Sequence, residues 1–277
     1  MRSLLPVALT KYLDMRAADH EFVFSATGSR IRRSFYKPMQ SPAFEGFPVR
    51  KDELLFEWID LLTAIETAEE TFTMVELGAG YGRWLVAGAV AARRVRNLQV
   101  HLVGVEAEHA HFEMMRQHFT DNDIDPGAHT LLEKAAAETD GPVHFVQGHS
   151  SEWWGQSILP SPEYGFGDWP EAQVSSAAGL CLATIIHDLR IVDLIDMDVQ
   201  GAEAAVVRGS RQALIDKVKR VHIGTHNAVV EAELLNLFDG MGWLCQNQYP
   251  CHSAVVTEFG EISFEDGVQT WINPKLV

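Results

Sequence analysis

Residues 73–84 read Thr-Met-Val-Glu-Leu-Gly-Ala-Gly-Tyr-Gly-Arg-Trp. The apolar run that ends at Leu77 predicts a buried strand, and the glycines at 78, 80 and 82 predict a tight turn into a helix. Glycine permits positive φ and lets the backbone come close to a ligand. The first turn of a helix also offers free N–H groups. The stretch therefore predicts a strand, turn and helix that together bind a small molecule.

The spacing of these glycines separates two classes of ligand. A dinucleotide fingerprint, G-x-G-x-x-G, counted from Gly78 requires a third glycine where Arg83 stands, so NAD is disfavoured. An acidic residue followed by x-G-x-G-x-G, as at Glu76, resembles motif I of the class I methyltransferases. That resemblance implies S-adenosylmethionine as the cofactor, with Glu76 near its methionine ammonium group. A glycine-rich turn without a ligand is the alternative.

The strand predicted at 100–105 is followed by Glu106. A carboxylate at a strand tip can accept hydrogen bonds from both hydroxyls of a ribose. By analogy with the same class of enzymes, Lys134 and Ala135 lie near the adenine. The residues predicted to bind the cofactor are Glu76, Gly78, Gly80, Tyr81, Gly82, Glu106, Ala107, Lys134 and Ala135.

Short apolar runs alternate with helical patterns from residue 72 onward. The apolar runs lie at 72–77, 100–105, 143–146, 192–197 and 221–225, and the helical patterns at 83–94, 108–118 and 202–214. This alternation predicts a mostly parallel sheet covered by helices on both faces, an α/β fold of the Rossmann-like type. A helix is predicted at 52–70, and β segments at 243–249, 254–257, 262–264 and 268–272 predict antiparallel edge strands.

The chain is predicted to have an N-terminal cap segment at 1–50 and a methyltransferase domain at 51–277. An insertion at 150–179 is rich in proline, glycine and aromatic residues, which predicts a lid or binding loop, with a packed surface insertion as the alternative. On the helix at 108–118, His111 and His118 share one face and are predicted to be solvated surface.

Residues 192–203, Val-Asp-Leu-Ile-Asp-Met-Asp-Val-Gln-Gly-Ala-Glu, precede Val-Val-Arg-Gly at 206–209. These stretches are similar to a signature of the FkbM family of methyltransferases, and Val-His-Ile-Gly-Thr-His at 221–226 takes the place of that family's E-x-H strand. The resemblance covers about residues 70–245. It implies five parallel strands with an antiparallel edge pair, a seven-stranded sheet, and O-methylation of a hydroxyl on a small molecule or sugar.

Three residues depart from the FkbM pattern. The family's lysine is replaced by Asp196, its glutamate by Gln200, and the glutamate before the histidine by Gly224. The first replacement places an anion two residues from Asp198, and on a strand both side chains face the same way. Two neighbouring carboxylates repel each other unless a cation or a proton lies between them.

Asp198 and His226 are the predicted catalytic residues, at the carboxyl ends of adjacent strands. Oxygen ligands with one imidazole suit Mg²⁺ or Mn²⁺, so Asp196, Asp198, His226 and Asn227 are the predicted metal ligands. This set is similar to that of the catechol-type O-methyltransferases, in which the ion lowers the pKa of the substrate hydroxyl. Without a metal, His226 or Asp198 is the general base. His222 is predicted to be structural, and Glu203 to be structural or to contact substrate.

The chain has 22 Lys and Arg against 38 Asp and Glu, a net charge of −16. This charge disfavours nucleic acid and anionic membranes and leaves a small-molecule acceptor as the expected partner. Three scattered cysteines indicate a reducing compartment, and the protein is predicted to be cytoplasmic. A homo-oligomer is compatible with the sequence. Two other functions stay open, N-methylation and a non-catalytic nucleoside-binding module.

Overall fold

The computed structural model describes residues 5–14, 16–35, 49–147, 158 and 173–277. The strands in these residues are β1 (Phe22–Phe24), β2 (Arg30–Arg32), β3 (Thr71–Leu77), β4 (Gln99–Glu106), β5 (Thr130–Glu133), β6 (Ala135–Ala137), β7 (Gly141–Gln147), β8 (Gln173–Cys181), β9 (Leu194–Met197), β10 (Arg220–Thr225), β11 (Leu244–Tyr249), β12 (Ser253–Thr257), β13 (Gly260–Phe264) and β14 (Gly267–Ile272). The α-helices are α1 (Leu54–Thr67), α2 (Arg83–Ala91), α3 (His109–Asp121), α4 (Leu182–Ile185), α5 (Glu203–Gly209), α6 (Arg211–Lys217) and α7 (Ala228–Met241).

A central sheet of seven strands has the order β11-β14-β10-β9-β3-β4-β5. The five strands from β10 to β5 are parallel, while β14 is antiparallel to β10 and β11 is antiparallel to β14. The predicted α/β, Rossmann-like fold is confirmed, including the antiparallel edge pair. Because the chain turns to opposite sides of β3 to form β4 and β9, the ligand crevice is expected outside the carboxyl ends of these strands.

The central strands are buried on both faces, which explains their continuous apolar runs. On β3, Met74 belongs to the core formed with α1 and α2, whereas Val75 belongs to the core formed with α5 and α7. On β4, Leu102 belongs to the core formed with α1 and α2, and Val103 belongs to the core formed with α5 and α7. Successive side chains along each strand therefore pack alternately against the helices on one face of the sheet and those on the other.

Some predicted elements lie elsewhere in the fold. The run at 143–146 is in β7, which pairs with β8 in a separate three-stranded sheet, and β5 is the outer parallel strand of the central sheet. The segments at 254–257 and 262–264 form the hairpin of β12 and β13, outside the central sheet. The helix predicted at 202–214 is interrupted at Ser210, whose hydroxyl accepts a hydrogen bond from the backbone N–H of Ala183.

The prediction that His111 and His118 are solvated surface is wrong, because both side chains are buried. The Nδ1 atom of His118 lies 3.0 Å from the carbonyl oxygen of Tyr81, and its ring packs edge-on against Tyr81 and Phe35. Phe35 belongs to the N-terminal segment. A sequence pattern on one helix could not reveal that a distant segment covers this face.

The N-terminal segment packs against the domain through specific polar contacts. The guanidinium of Arg32 donates to both carboxylate oxygens of Asp121 in α3, at 2.6 and 2.7 Å. The hydroxyl of Thr27 donates to the carbonyl of Ala87 in α2. The domain boundary at residue 50 stays a prediction. Most of the insertion predicted at 150–179 lies outside the described residues.

Within the described ranges, the helices are too short or too polar to cross a lipid bilayer.

Candidate active site

The carboxyl ends of β3 and β9 meet at Gly78 and Asp198. Gly78 has φ +76°, and a Cβ atom at this position would lie 1.8 Å from the carbonyl oxygen of Asp198. The backbone N–H groups of Gly78 and Ala79 both donate to the carbonyl of Val105 at the end of β4, at 3.0 Å. Only glycine fits at position 78, and the glycine loop is fixed against both neighbouring strands.

Glu76 is buried under this loop. Its Oε2 atom accepts a hydrogen bond from the N–H of Leu85 at 3.0 Å, and Oε1 accepts a longer one from Trp84 at 3.4 Å. The carboxylate thus satisfies free N–H groups in the first turn of α2, where a negative charge is favourable. Burial, together with the nearby Asp196 carboxylate, raises the pKa of Glu76 well above its ordinary value.

Glu106 at the end of β4 organises the other side of the loop. Its Oε2 atom accepts from the N–H of Gly80 and its Oε1 atom from the N–H of Glu108, both at 2.7 Å. The N–H of Lys134 donates to the carbonyl of Glu106 at 3.0 Å. Burial raises the pKa of the Glu106 carboxyl. The predicted ribose carboxylate therefore contacts the glycine loop directly and the adenine-side segment through its backbone.

A cavity of about 330 Å³ opens over the glycine loop. The predicted cofactor residues that line it are Glu76, Gly78, Gly80, Tyr81, Glu106, Ala107, Lys134 and Ala135. Gly82 does not line the cavity. It starts α2 with φ +70°, and a Cβ there would lie 2.9 Å from Cγ of Met115. Carboxylates at the ends of two adjacent strands, with backbone N–H groups between them, fit a nucleoside joined to an amino acid.

Asp198, directly after β9, lies at the edge of this cavity with its side chain 49 % exposed. Its Oδ1 atom accepts a hydrogen bond from the side-chain amide of Gln200 at 2.8 Å and lies 3.3 Å from Nε2 of His226. Gln200 has φ +53°, an unusual backbone conformation for a residue other than glycine. His226 does not line the cavity, so Asp198 is the member of the pair that faces it.

His226 is held between carboxylates. Its Nδ1 atom lies 2.9 Å from Oε1 of the fully buried Glu203, which also accepts from the N–H of Gly201. Its Nε2 atom faces Asp198 and lies 3.8 Å from Oδ1 of Asp266. Burial on its own lowers the pKa of His226, but the nearby carboxylates of Asp198 and Glu203, the second of which is hydrogen-bonded to Nδ1, outweigh it and raise the pKa to about 10. We therefore expect the ring to be an imidazolium at neutral pH.

Asp196 belongs to a different group of side chains. It lies in β9 beside His222 of β10, and with Glu57 of α1 these residues bring one ligand atom each to within 4.8 Å of the others. Burial is the main cause that raises the pKa of Asp196 to about 7. The structure thus separates Asp196 from the group of Asp198 and His226.

Asn227 has a structural contact. Its Oδ1 atom accepts hydrogen bonds from the N–H groups of Val229 and Val230, which caps the start of α7. A cap of this type uses the oxygen that a metal would need. The four predicted metal ligands therefore do not converge on one point, and Asp198 and His226 are the two that the structure brings together.

Four further side chains of the site were not predicted to take part in it. Glu57 and Arg83 line the cavity, Gln200 contacts Asp198, and Asp266 faces His226. The sequence offered a signal for two of them. Arg83 stands at the missing third glycine, and Gln200 replaces the glutamate of the FkbM signature. Glu57 and Asp266 come from α1 and from the turn before β14, and no local pattern marks them.

The sheet order, the acidic ends of β3 and β4 and the glycine loop between them are features of the class I methyltransferase fold. No family model matches the chain. A "Putative methyltransferase" of Jannaschia sp. (strain CCS1) is 27 % identical over 253 residues, which cover 90 % of this chain and 89 % of the relative.

Two solved structures are similar at low sequence identity. One is the methyltransferase FkbM from Methylobacillus flagellatus KT, with 13 % identity, 79 % of this chain covered and a TM-score of 0.47. The match covers 54 % of that protein, so the chain spans about half its length. The other is a precorrin-6y C5,15-methyltransferase from Geobacter metallireducens GS-15, with 10 % identity, 77 % and 86 % of the two chains covered and a TM-score of 0.42.

The fold, the cofactor loop and the relative that matches nearly the whole chain agree with one another. The chain is similar to a putative methyltransferase over nearly its whole length, and the predicted enzyme class, an S-adenosylmethionine-dependent methyltransferase, is confirmed.

Proposed function

We propose that the enzyme transfers the methyl group of S-adenosylmethionine to a hydroxyl oxygen of a small molecule. The observation that carries this proposal is the half-exposed carboxylate of Asp198 at the cavity edge, supported from behind by His226. A hydroxyl group needs a proton acceptor as it attacks, because its own pKa lies far above neutral pH. A neutral amine attacks through its lone pair and does not need one at that moment.

Each part of the chain then has a distinct task. Glu76, Gly78, Gly80 and Glu106 bind the cofactor, which supplies an electrophilic methyl group. Asp198 accepts the proton of the acceptor hydroxyl as the new C–O bond would form and the bond between the methyl carbon and the sulfonium sulfur would break, which leaves S-adenosylhomocysteine. His226, held by Glu203, positions Asp198. Because the cofactor supplies the driving force, the protein acts mainly by aligning the reactants and excluding water.

The small size of the acceptor is part of the same proposal. The cavity of about 330 Å³ is in the range of small-molecule sites. Because most of its lining is assigned to the cofactor, only its edge beside Asp198 is left for the reactive part of the acceptor. The net charge of −16 disfavours a nucleic acid or an anionic membrane as the acceptor. Sugars and other neutral polyols are the hydroxyl compounds to test first.

A metal-assisted form of the reaction is supported by a separate observation. Nε2 of His226 faces both Asp198 and Asp266, at 3.3 and 3.8 Å, while Glu203 holds Nδ1. A carboxylate on the far nitrogen is common behind metal-ligating histidines. A Mg²⁺ or Mn²⁺ ion at Asp198, His226 and Asp266 would take the role that the imidazolium proton has in the metal-free form.

The test uses deuterated S-adenosylmethionine with panels of small hydroxyl and amine compounds, and product masses are measured. We expect label on oxygen. Asp198→Asn should lower turnover by about 10²- to 10⁴-fold while the affinity for S-adenosylhomocysteine stays within twofold. Asp188→Asn is the matched control, since its side chain is fully in solvent, 96 % exposed.

The alternatives give different results. Label on nitrogen would establish the N-methyltransferase, and a cofactor that binds without any transfer from either panel would favour a non-catalytic module. Full turnover by Asp198→Asn would contradict the proposed role of Asp198. Loss of turnover in EDTA, with recovery in Mg²⁺ or Mn²⁺, would establish the metal-assisted form.

A further inference from the structure

Glu57, Asp196 and His222 form a second cluster of ligand-type side chains, apart from His226. One ligand atom from each of them lies within 4.8 Å of the other two. Glu57 and Asp196 both line the cavity. The cluster joins α1 to two adjacent strands of the central sheet, β9 and β10. A single ion could therefore contact all three elements at once.

The two carboxylates of this cluster lack hydrogen-bond donors. Asp196 is 5 % exposed, and within the described ranges no group donates a hydrogen bond to its side chain. The Oε2 atom of Glu57 is fully buried without a hydrogen-bond partner in the same part of the chain. Burying a carboxylate without donors is costly, and two of them together cost more. The positive charge of Arg83 in the same cavity wall lowers the pKa of both carboxyls, but burial outweighs it and leaves both pKa values raised. A cation or a proton between the two carboxylates would offset the rest of this cost.

His222 is oriented toward this point by a third carboxylate. Its Nδ1 atom lies 2.7 Å from Oδ2 of the fully buried Asp60. Asp60 also accepts hydrogen bonds from Arg220 at 2.6 Å and from the hydroxyl of Thr270 at 2.5 Å, so its position is fixed from several sides. When Asp60 holds Nδ1–H, the lone pair of the imidazole is on Nε2. A buried carboxylate behind a histidine is the usual support of a metal-ligating imidazole.

We propose that Glu57, Asp196 and His222 bind a divalent cation in the wall of the cavity. Two carboxylates and a neutral imidazole carry a charge of −2, which a divalent ion balances. Carboxylate oxygens with one imidazole suit Mn²⁺ and Zn²⁺. Three protein ligands leave further coordination positions open, as in metal sites that bind a water or a substrate. The ion would tie α1 to the sheet and hold part of the cavity wall in place.

This proposal does not depend on the reaction catalysed, and its test uses binding and stability. Protein stripped with EDTA and dialysed is titrated with Mn²⁺, and the loss of the free-ion EPR signal measures binding. Zn²⁺ is then added as a competitor. We expect Asp196→Asn and Glu57→Gln each to weaken Mn²⁺ binding at least tenfold, and Asp60→Asn to weaken it about 10- to 100-fold through His222. Mn²⁺ should raise the melting temperature of the wild type and not that of Asp196→Asn.

His226→Gln is the matched control, because it removes the histidine of the other cluster. Binding that survives His226→Gln but is lost in Asp196→Asn supports the proposal. Binding that is lost only in His226→Gln overturns it and places the ion at Asp198. Circular dichroism checks the fold of each variant, and a misfolded variant is replaced by His222→Gln. Absence of Mn²⁺ and Zn²⁺ binding in the wild type also overturns the proposal, and a proton shared between Glu57 and Asp196 is then the alternative.

Discussion

Glu106 uses both of its carboxylate oxygens on backbone N–H groups, one in the glycine loop and one at the start of α3. Replacing it with alanine leaves these buried donors unsatisfied and removes the predicted partner of the ribose hydroxyls. We expect Glu106→Ala to weaken S-adenosylhomocysteine binding by about 1–3 kcal/mol, roughly 5- to 150-fold. Calorimetric titration measures the effect.

Glu133→Ala is the control for this variant, because Glu133 ends the adjacent strand β5, opposite Glu106, and is partly exposed. Its affinity should match the wild type. An unchanged affinity in Glu106→Ala would show that the carboxylate does not contact the cofactor.

His226 is a second residue whose environment gives a measurable prediction. In EDTA-treated protein, NMR titration should find its pKa near 10, and Glu203→Gln should lower it because the carboxylate that is hydrogen-bonded to Nδ1 loses its charge. The pKa in the folded state exceeds that of an unfolded histidine, about 6.5. The interaction of the His226 imidazolium with its neighbouring carboxylates therefore stabilises the fold fully below about pH 6.5. This contribution is lost as the pH rises through about 10.

The exposed Asp188→Asn variant should leave the titration of His226 unchanged. A neutral ring at pH 7 in the wild type would contradict the paired geometry.

At the scale of elements, the contact of Gly78 with β9 sets what the loop tolerates. Gly78→Ala combines a left-handed backbone with a clash against the Asp198 carbonyl, whereas Gly242→Ala at the end of α7 has φ +74° and open space. Both variants should lose about 1–2 kcal/mol to the backbone conformation. Gly78→Ala should lose about 1–3 kcal/mol more of the free energy of unfolding through overpacking. It should also lose cofactor binding. Denaturant unfolding compares the two, and equal losses would show that the clash is relieved.

The elements were more predictable from the sequence than the site. The strands around Val75, Val103 and Ile195 carry apolar residues on both faces, and such runs indicate the central sheet because both faces are buried. The glycine loop and Glu106 follow these strands directly, so a local pattern was enough to place them. Glu57 and Asp266 reach the site from segments far away in the chain, and only the packing of α1 and the turn before β14 brings them there.

The polar strand ends show the same difference. Asp196 and Asp198 are two residues apart, and both were predicted from the sequence to be ligands of one metal site. In the structure, Asp196 lies within β9 and pairs with His222, whereas Asp198 follows the end of β9 and faces His226. The point at which a strand ends decides which neighbours its carboxylates meet, and that point depends on tertiary packing.

For the whole molecule, ligand binding should change stability selectively. At a concentration of 100 times its Kd, S-adenosylhomocysteine should add about 2.7 kcal/mol to the free energy of unfolding. NAD should add none, because Arg83 stands where a dinucleotide loop needs its third glycine. Thermal unfolding with each ligand is the measurement, with adenosine as a control for binding of the nucleoside alone. An equal rise with NAD would contradict the cofactor assignment.

The close packing of Gly78 against the carbonyl of Asp198 should couple the binding of the two substrates. In the proposed mechanism, the glycine loop contacts the cofactor and Asp198 meets the acceptor, so a displacement of either one must be accommodated by the other. Binding of the cofactor at the loop would then change the affinity for the acceptor at Asp198, and thermodynamic linkage makes this effect reciprocal. Whatever factor the acceptor adds to the affinity for the cofactor, the cofactor adds to the affinity for the acceptor, so the two substrates would assemble cooperatively in a ternary complex.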